Sequence, residues 1–214
     1  RWKGQPLQSK ICVVMPAYDV EETIGAVVKD ALKYVNKIFV VDDGSNDQTA
    51  RIASQAGGEV ISMAENRGKG HALKVLFQKA MDEGYDAVIS MDADGQHEAE
   101  SIAALANPIL EDRADIAIGT CPDRGSLMRR IAWVLMKRAS GLTLEDITSG
   151  FRLYCRDAVD VLARRSATLL EYQDVGVLIT LQECGFRIVD VPVPMAPRRS
   201  GISRIFYSWR SVSY

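Results

Sequence analysis

Three stretches of this 214-residue chain are apolar almost without a break: Ile11-Cys12-Val13-Val14-Met15, Lys37-Ile38-Phe39-Val40-Val41 and Ala87-Val88-Ile89-Ser90. A strand with one wet face alternates apolar and polar side chains, so an unbroken run marks a strand covered on both faces. Two more strand-like runs, at 59–62 and 115–118, extend the series, and helix-like patterns near 21–35, 47–56, 68–83 and 97–110 separate its members. Alternating strands and helices build an open, mostly parallel sheet. The expected fold is therefore α/β, a single Rossmann-like domain with a mostly parallel central sheet and helices on both faces.

Beyond residue 119 the rhythm weakens. Residues 126–140 suit an amphipathic helix whose apolar side carries Leu127, Met128, Ile131, Val134 and Leu135, with Arg129, Arg130, Lys137 and Arg138 nearby. Such a helix either packs on the core with a solvated basic edge or offers an acceptor-side or membrane-facing surface. A further helix at about 172–184 leads into a late strand at 187–191. With 47% apolar residues the chain can bury one sizeable core. The expected organisation is an extension over 1–9, one domain over 10–204 and an aromatic C-terminal segment over 205–214, with the chain read as part of a longer protein.

A formal charge of −2 gives no global pull toward nucleic acid, and none is expected as a partner. The four cysteines have no metal-ligand spacing, which points to reduced thiols in a reducing, cytoplasmic compartment. No apolar run approaches the roughly 20 residues that span a bilayer.

Ligands of open α/β sheets bind beyond the carboxyl ends of the strands. Those ends are polar here: Pro16-Ala17-Tyr18-Asp19 after the first, Asp42-Asp43-Gly44-Ser45-Asn46-Asp47 after the second, and Asp92-Ala93-Asp94-Gly95-Gln96-His97 after the fourth. Strand alternation predicts that Asp92 and Asp94 project into one small volume. Two carboxylates there suit a hard cation, Mg2+ or Mn2+, that also carries the phosphate oxygens of a ligand; an ordinary Asp-Gly surface turn is the other reading. Gly68-Lys69-Gly70 opens a helix and reads as a phosphate cradle or as a plain helix start. Asp47 reads as an N-cap for the helix at 47–56. His71 and His97 read as a phosphate contact and a site-edge contact, or as ordinary polar residues.

In order, Pro16-Ala17-Tyr18 with Glu21-Glu22-Thr23-Ile24, Val41-Asp42-Asp43-Gly44-Ser45, Asn66-Arg67-Gly68-Lys69-Gly70, Asp92-Ala93-Asp94-Gly95-Gln96-His97, Thr148-Ser149-Gly150-Phe151-Arg152 and Arg199-Ser200-Gly201-Ile202-Ser203-Arg204 resemble the family 2 glycosyltransferases of GT-A fold. The branch most similar is that of the dolichyl-phosphate mannose synthases and other polyprenyl-phosphate sugar transferases. The resemblance implies an inverting, metal-dependent hexosyltransferase that uses a UDP- or GDP-linked sugar. It implies that Pro16, Ala17, Tyr18 and Asp43 hold the base and ribose, that Asn66, Lys69, Asp92 and Ala93 complete the donor pocket, and that Asp94 holds the metal with Gln96 as a further ligand. Val20 stands where many relatives carry Glu. The Q-x-x-R-W signature of processive synthases is absent, which favours a single transfer over polymer synthesis.

An acceptor phosphate is already anionic near neutral pH and requires cations rather than a strong base. Arg124, Arg130, Arg152 and Arg199 are the candidates, because guanidinium pairs with phosphate bidentately. A hydroxyl acceptor would instead need a carboxylate base, for which Asp174 is the candidate, with a helix-dipole role as its other reading. The partners expected are thus a nucleotide-sugar donor and a lipid-phosphate or hydroxyl acceptor. Peripheral contact would be at the cytoplasmic face of a membrane.

Overall fold

The computed structural model describes residues 10–121, 149–164 and 176–196. The elements run β1 (Ile11–Ala17), α1 (Glu21–Ala31), β2 (Ile38–Asp42), α2 (Thr49–Gln55), β3 (Glu59–Ser62), α3 (Lys69–Asp82), β4 (Ala87–Ser90), α4 (Ser101–Leu110), β5 (Ile116–Thr120), β6 (Arg152–Cys155), α5 (Arg156–Arg164), α6 (Gly176–Glu183) and β7 (Ile188–Pro192). They form a seven-stranded sheet in the order β3-β2-β1-β4-β6-β5-β7, in which β6 pairs antiparallel with both β4 and β5 and the other pairs are parallel.

The unbroken apolar runs have the burial they imply. Every residue of β2 and β4 is buried, as are all but Pro16 of β1. Side chains alternate across the sheet: Val13, Met15 and Ile89 face a cluster shared with Ile24 and Val28 of α1, Ala53 of α2 and Ile102 and Leu105 of α4. Cys12, Val14 and Val88 face the opposite cluster, with Leu76 and Phe77 of α3, Leu162 of α5 and Leu178 of α6. Helices therefore cover both faces, and each fully buried Ile, Val or Phe contributes roughly 1.5–3 kcal/mol.

Two sequence expectations need correction. β6 and α5 were not foreseen; β6 has only four residues and its pairing partners lie far away in the chain. Its antiparallel direction matters, because it starts at the edge where its neighbours end and so delivers residues 149–152 to that edge. The second correction concerns Asp47, which is not the N-cap of α2. Gln48 holds that position without a side-chain bond.

Asp47 instead joins two loops. Its carboxylate accepts the backbone N–H groups of Thr49 (2.9 Å) and, across the chain, of Glu21 (3.1 Å). Thr49 Oγ1 accepts the N–H of Val20 (2.8 Å), and the Glu21 carboxylate accepts that of Gln48 (2.9 Å). The unpaired amides at the start of α1 are thus satisfied by the loop before α2, and the reverse. Asp19, at φ 48°, takes the left-handed conformation that Asp tolerates. It receives the N–H of Asn46 and donates its own to Ser45 Oγ, each at 2.9 Å.

Burial opposes the Asp47 charge, yet the hydrogen bonds from Thr49 and the Glu21 amide prevail and hold its pKa below the ordinary 3.8. A depressed carboxylate pKa contributes stability above the unfolded value and loses it as the pH falls through the folded one. Denaturant titrations from pH 7 to pH 2 should show stability falling below about pH 4, less steeply in Asp47→Asn. At pH 7, Thr49→Ala should cost about 1–2 kcal/mol, and Thr49→Ser should recover most of it.

Candidate active site

Because β1, β2, β3 and β4 are parallel, the loops that follow them gather along one edge of the sheet. Ala17 ends β1 and its carbonyl accepts the N–H of Asp43 (2.8 Å), so the first two loops are joined at their roots. Pro16 and Tyr18 flank Ala17, both partly exposed at this edge. Asn66 is exposed in the loop before α3, and Lys69 is the first residue of that helix.

Asp92 and Asp94 lie beyond β4, which ends at Ser90, so turn geometry rather than strand alternation sets their directions. Their environments differ. Lys69 Nζ lies 2.5 Å from Asp92 Oδ1, and His97 Nε2 lies 3.6 Å from Asp92 Oδ2. Burial alone would raise the Asp92 pKa, but the Lys69 ammonium and the adjacent His97 outweigh it and hold the carboxyl well below the usual range. Asp94 is half-buried, and its Oδ1 accepts the N–H of Gln96 at 3.1 Å. Ala93 is buried between them, its carbonyl accepting the hydroxyl of Thr23 on α1 at 2.7 Å.

The third side of Asp92 is bounded by Gly150. A Cβ on Gly150 would come within 2.8 Å of Asp92 Cγ and closer still to Oδ2, so only glycine lets the carboxylate occupy this place. Ser90 Oγ donates to the Gly150 carbonyl at 2.9 Å, fixing the approach of that backbone. His97 is nearly sealed, with 2% of its side chain exposed; its ring stacks on Phe151 at 5.2 Å between centroids. The 92–97 loop is also tied to residues after β7, through pairing of His97 with Met195 and donation by Ala196 N–H to the Gln96 carbonyl (3.0 Å).

Of the candidate residues, Pro16, Ala17, Tyr18, Asp43, Asn66, Lys69, Asp92, Ala93, Asp94 and Gln96 thus lie on connected loops of one edge. Arg152 begins β6 at the same edge, but it is 3% exposed and its Nε donates to the Ser149 carbonyl at 2.7 Å. Arg124, Arg130, Asp174 and Arg199, the helix at 126–140 and the segment 205–214 lie outside the described residues. Sequence reasoning missed Gly150 and Thr23 as site supports. Both lie inside motifs that carry the family resemblance, Glu21-Glu22-Thr23-Ile24 and Thr148-Ser149-Gly150-Phe151-Arg152, but the tertiary contact each makes has no local signal.

Among the described residues, no group of three or more His, Cys, Asp or Glu side chains is placed to hold a metal ion. With Asp92 engaged by Lys69 and His97, a cation at this loop would draw on Asp94 and Gln96. That small oxygen set fits Mg2+ or Mn2+ when substrate phosphates and water complete the shell.

A family model for glycosyl transferase family 2 matches residues 12–163, and the chain belongs to that family. It is a glycosyltransferase with a GT-A-type fold. Over 213 residues it is 29% identical to the polyprenol monophosphomannose synthase of Mycolicibacterium smegmatis, spanning 90% of this chain and 80% of that protein. It is 28% identical over 215 residues to the undecaprenyl-phosphate mannosyltransferase of Micrococcus luteus, spanning 92% and 87% respectively. Among solved structures, glucosyl-3-phosphoglycerate synthase from Mycobacterium tuberculosis, in complex with Mn2+, UDP-glucose and phosphoglyceric acid, aligns with a TM-score of 0.64 at 21% identity. The match covers 92% of this chain and 74% of that one, and the likeness is one of fold.

The packing of Gly150 on Asp92 has a direct test. Gly150→Ala should lower unfolding stability by about 1–3 kcal/mol, and the penalty should largely vanish in an Asp92→Ala background, where the clashing atoms are gone. Equal penalties in both backgrounds, measured by chemical denaturation, would refute the contact.

Proposed function

We propose that the protein moves a hexose, in one inverting step, from a UDP- or GDP-linked donor to a polyprenyl phosphate with the help of Mg2+ or Mn2+. The observation that carries this reading is the Asp92–Asp94 loop set against Lys69 where parallel strands end. Membership of glycosyl transferase family 2 and the polyprenyl-phosphate names of its relatives support it.

In this reading Pro16, Ala17 and Tyr18 offer backbone and ring surface for base and ribose, and Asn66 and Ala93 close the pocket. Lys69 carries positive charge toward the diphosphate, at the amino end of a 14-residue helix whose dipole adds to it. Asp94, with Gln96, would hold the cation, which when bound supplies charge neutralisation for the departing diphosphate. Asp92 keeps Lys69 in place, and its own charge is balanced in doing so.

The acceptor is already nucleophilic as a phosphate anion, so the protein's task is orientation and charge balance. Arg124, Arg130 and Arg199 are proposed for the acceptor phosphate. Arg152, buried at the same edge with its Nε on the Ser149 carbonyl, is proposed to lend positive charge to that edge without touching the phosphates. A polyprenyl acceptor resides in a bilayer, which places the working edge at a membrane surface. Its cytoplasmic face agrees with four cysteines that are all free thiols. Among the described residues no helix is long and apolar enough to cross a membrane.

Thermal shift with UDP, GDP and their sugar conjugates, run with Mn2+ or Mg2+ and again with chelator, should show metal-dependent stabilisation by one nucleotide class. Asp94→Asn should abolish the metal-dependent part while leaving the unliganded melting temperature close to wild type. Transfer of labelled sugar from that nucleotide to a short polyprenyl phosphate should then be lost in the same variant. A variant that retains full transfer would remove Asp94 from the metal site.

A further inference from the structure

We infer that Thr23 is a positioning residue: its hydroxyl pins the turn that carries Asp94 to α1, and α1 thereby couples that turn to the loop after β2. The inference rests on the donor-site reading above for its consequences, though not for its geometry. Thr23 Oγ1 donates to the Ala93 carbonyl at 2.7 Å, across 70 residues of sequence, with both partners buried. The Val20 carbonyl, 3.3 Å from the same hydroxyl, already accepts the N–H groups of Thr23 (3.1 Å) and Ile24 (3.0 Å). A hydroxyl has one proton to give, and the shorter contact takes it to the loop rather than to its own helix. Ala93 stands between Asp92 and Asp94, and its carbonyl carbon is bonded to the Asp94 nitrogen. Because that peptide unit is planar, holding its oxygen fixes the plane from which Asp94 leaves the chain.

The same turn of α1 is held from the other side. β1 lies between β2 and β4 in the sheet, so the helix that follows it starts where the loops of both neighbours come within reach. Val20 N–H donates to Thr49 Oγ1 at 2.8 Å, Glu21 N–H to the Asp47 carboxylate at 3.1 Å, and Gln48 N–H to the Glu21 carboxylate at 2.9 Å. A Cβ on Gly25 would meet Ile52 Cγ2 of α2 at 2.8 Å, so α1 lies against α2 as closely as a bare glycine allows. Residues 20–25 therefore form a strut, bonded on one side to residues 47–49 and on the other to the peptide that leads into Asp94. In the donor-site reading the loop after β2 faces the nucleoside and the 92–97 turn faces the diphosphate and its cation. The strut then sets the span between the two halves of one ligand.

Thr23→Val keeps the shape of the side chain and removes the hydroxyl, Thr23→Ala removes it with less steric demand, and Thr23→Ser retains it. Amide hydrogen exchange without ligand should speed up about tenfold over residues 92–97 in Thr23→Val and Thr23→Ala, with β1, β2 and β4 unchanged and Thr23→Ser close to wild type. Thr49→Ala, at the far side of the strut, should speed exchange over 92–97 in the wild-type background and add nothing in Thr23→Val. Unchanged exchange over 92–97, or a Thr49→Ala effect that survives in Thr23→Val, would overturn the coupling even if the protein binds no nucleotide and the donor-site reading fails. Inorganic pyrophosphate, UDP and GDP, each titrated with Mn2+ and again with chelator, read the consequence at the site. Thr23→Val should weaken all three about tenfold with Mn2+ and less than about twofold without it, and Thr23→Ser should recover the loss. Equal losses with and without Mn2+ would give Thr23 a merely structural part and remove its action on Asp94.

Discussion

Burying β1, β2 and β4 on both faces leaves no place within the sheet for charged chemistry. Polar groups there would lose water without gaining partners, a cost that apolar neighbours cannot repay. Charge is therefore expelled to the strand ends, and since these strands run parallel, their carboxyl ends expel it to the same edge. The site is a consequence of that restriction. Asp43, Asp92, Asp94 and Lys69 come from loops far apart in the chain, yet the sheet alone brings them into register. The reversed direction of β6 adds to the same edge from the opposite side of the chain, and Gly150 is its contribution.

Loops at a strand end have no ladder to hold them, and here side-chain carboxylates replace it. Asp19, Asp43 and Asp47 each accept backbone N–H groups from a different loop, and Glu21 does the same. Hydrogen bonds to charged acceptors contribute more than neutral ones, and each also removes an unpaired amide from a region where water is partly excluded. The acidic character of these loops thus has two sources: some carboxylates hold the scaffold, and others face whatever the scaffold is built to bind. Composition cannot separate them, because both classes are Asp at strand ends.

This explains which parts were legible from the sequence. β1, β2 and β4 were readable from their apolar runs, because two-sided burial writes itself into consecutive residues, and α1, α3 and α4 were placed to within a few residues. β6 was not readable: the run Arg152-Leu153-Tyr154-Cys155 is short, and its burial comes from β4 and β5, neither of which adjoins it in sequence. The polar strand ends were legible as a list, but the wiring between their loops was not. The sequence places Asp47 just before a helix, where a cap is the local expectation, and only the tertiary approach of α1 shows that it bonds the first amide of the neighbouring helix.

The carboxylates at 92 and 94 show what that wiring adds. Two residues apart, they invite a single description as a pair, but their surroundings divide them. Asp92 meets an ammonium at one oxygen and a buried imidazole near the other, so its charge is balanced inside the protein, and its depressed pKa follows from those neighbours. Asp94 sits in the turn beyond, half-buried, with Gln96 folded back onto it. A cation approaching this loop would have to displace Lys69 to use Asp92 fully, and the two positive charges would then compete for one group. Lys69, held by Asp92 at 2.5 Å, is thus a positive charge that the protein itself fixes at this edge.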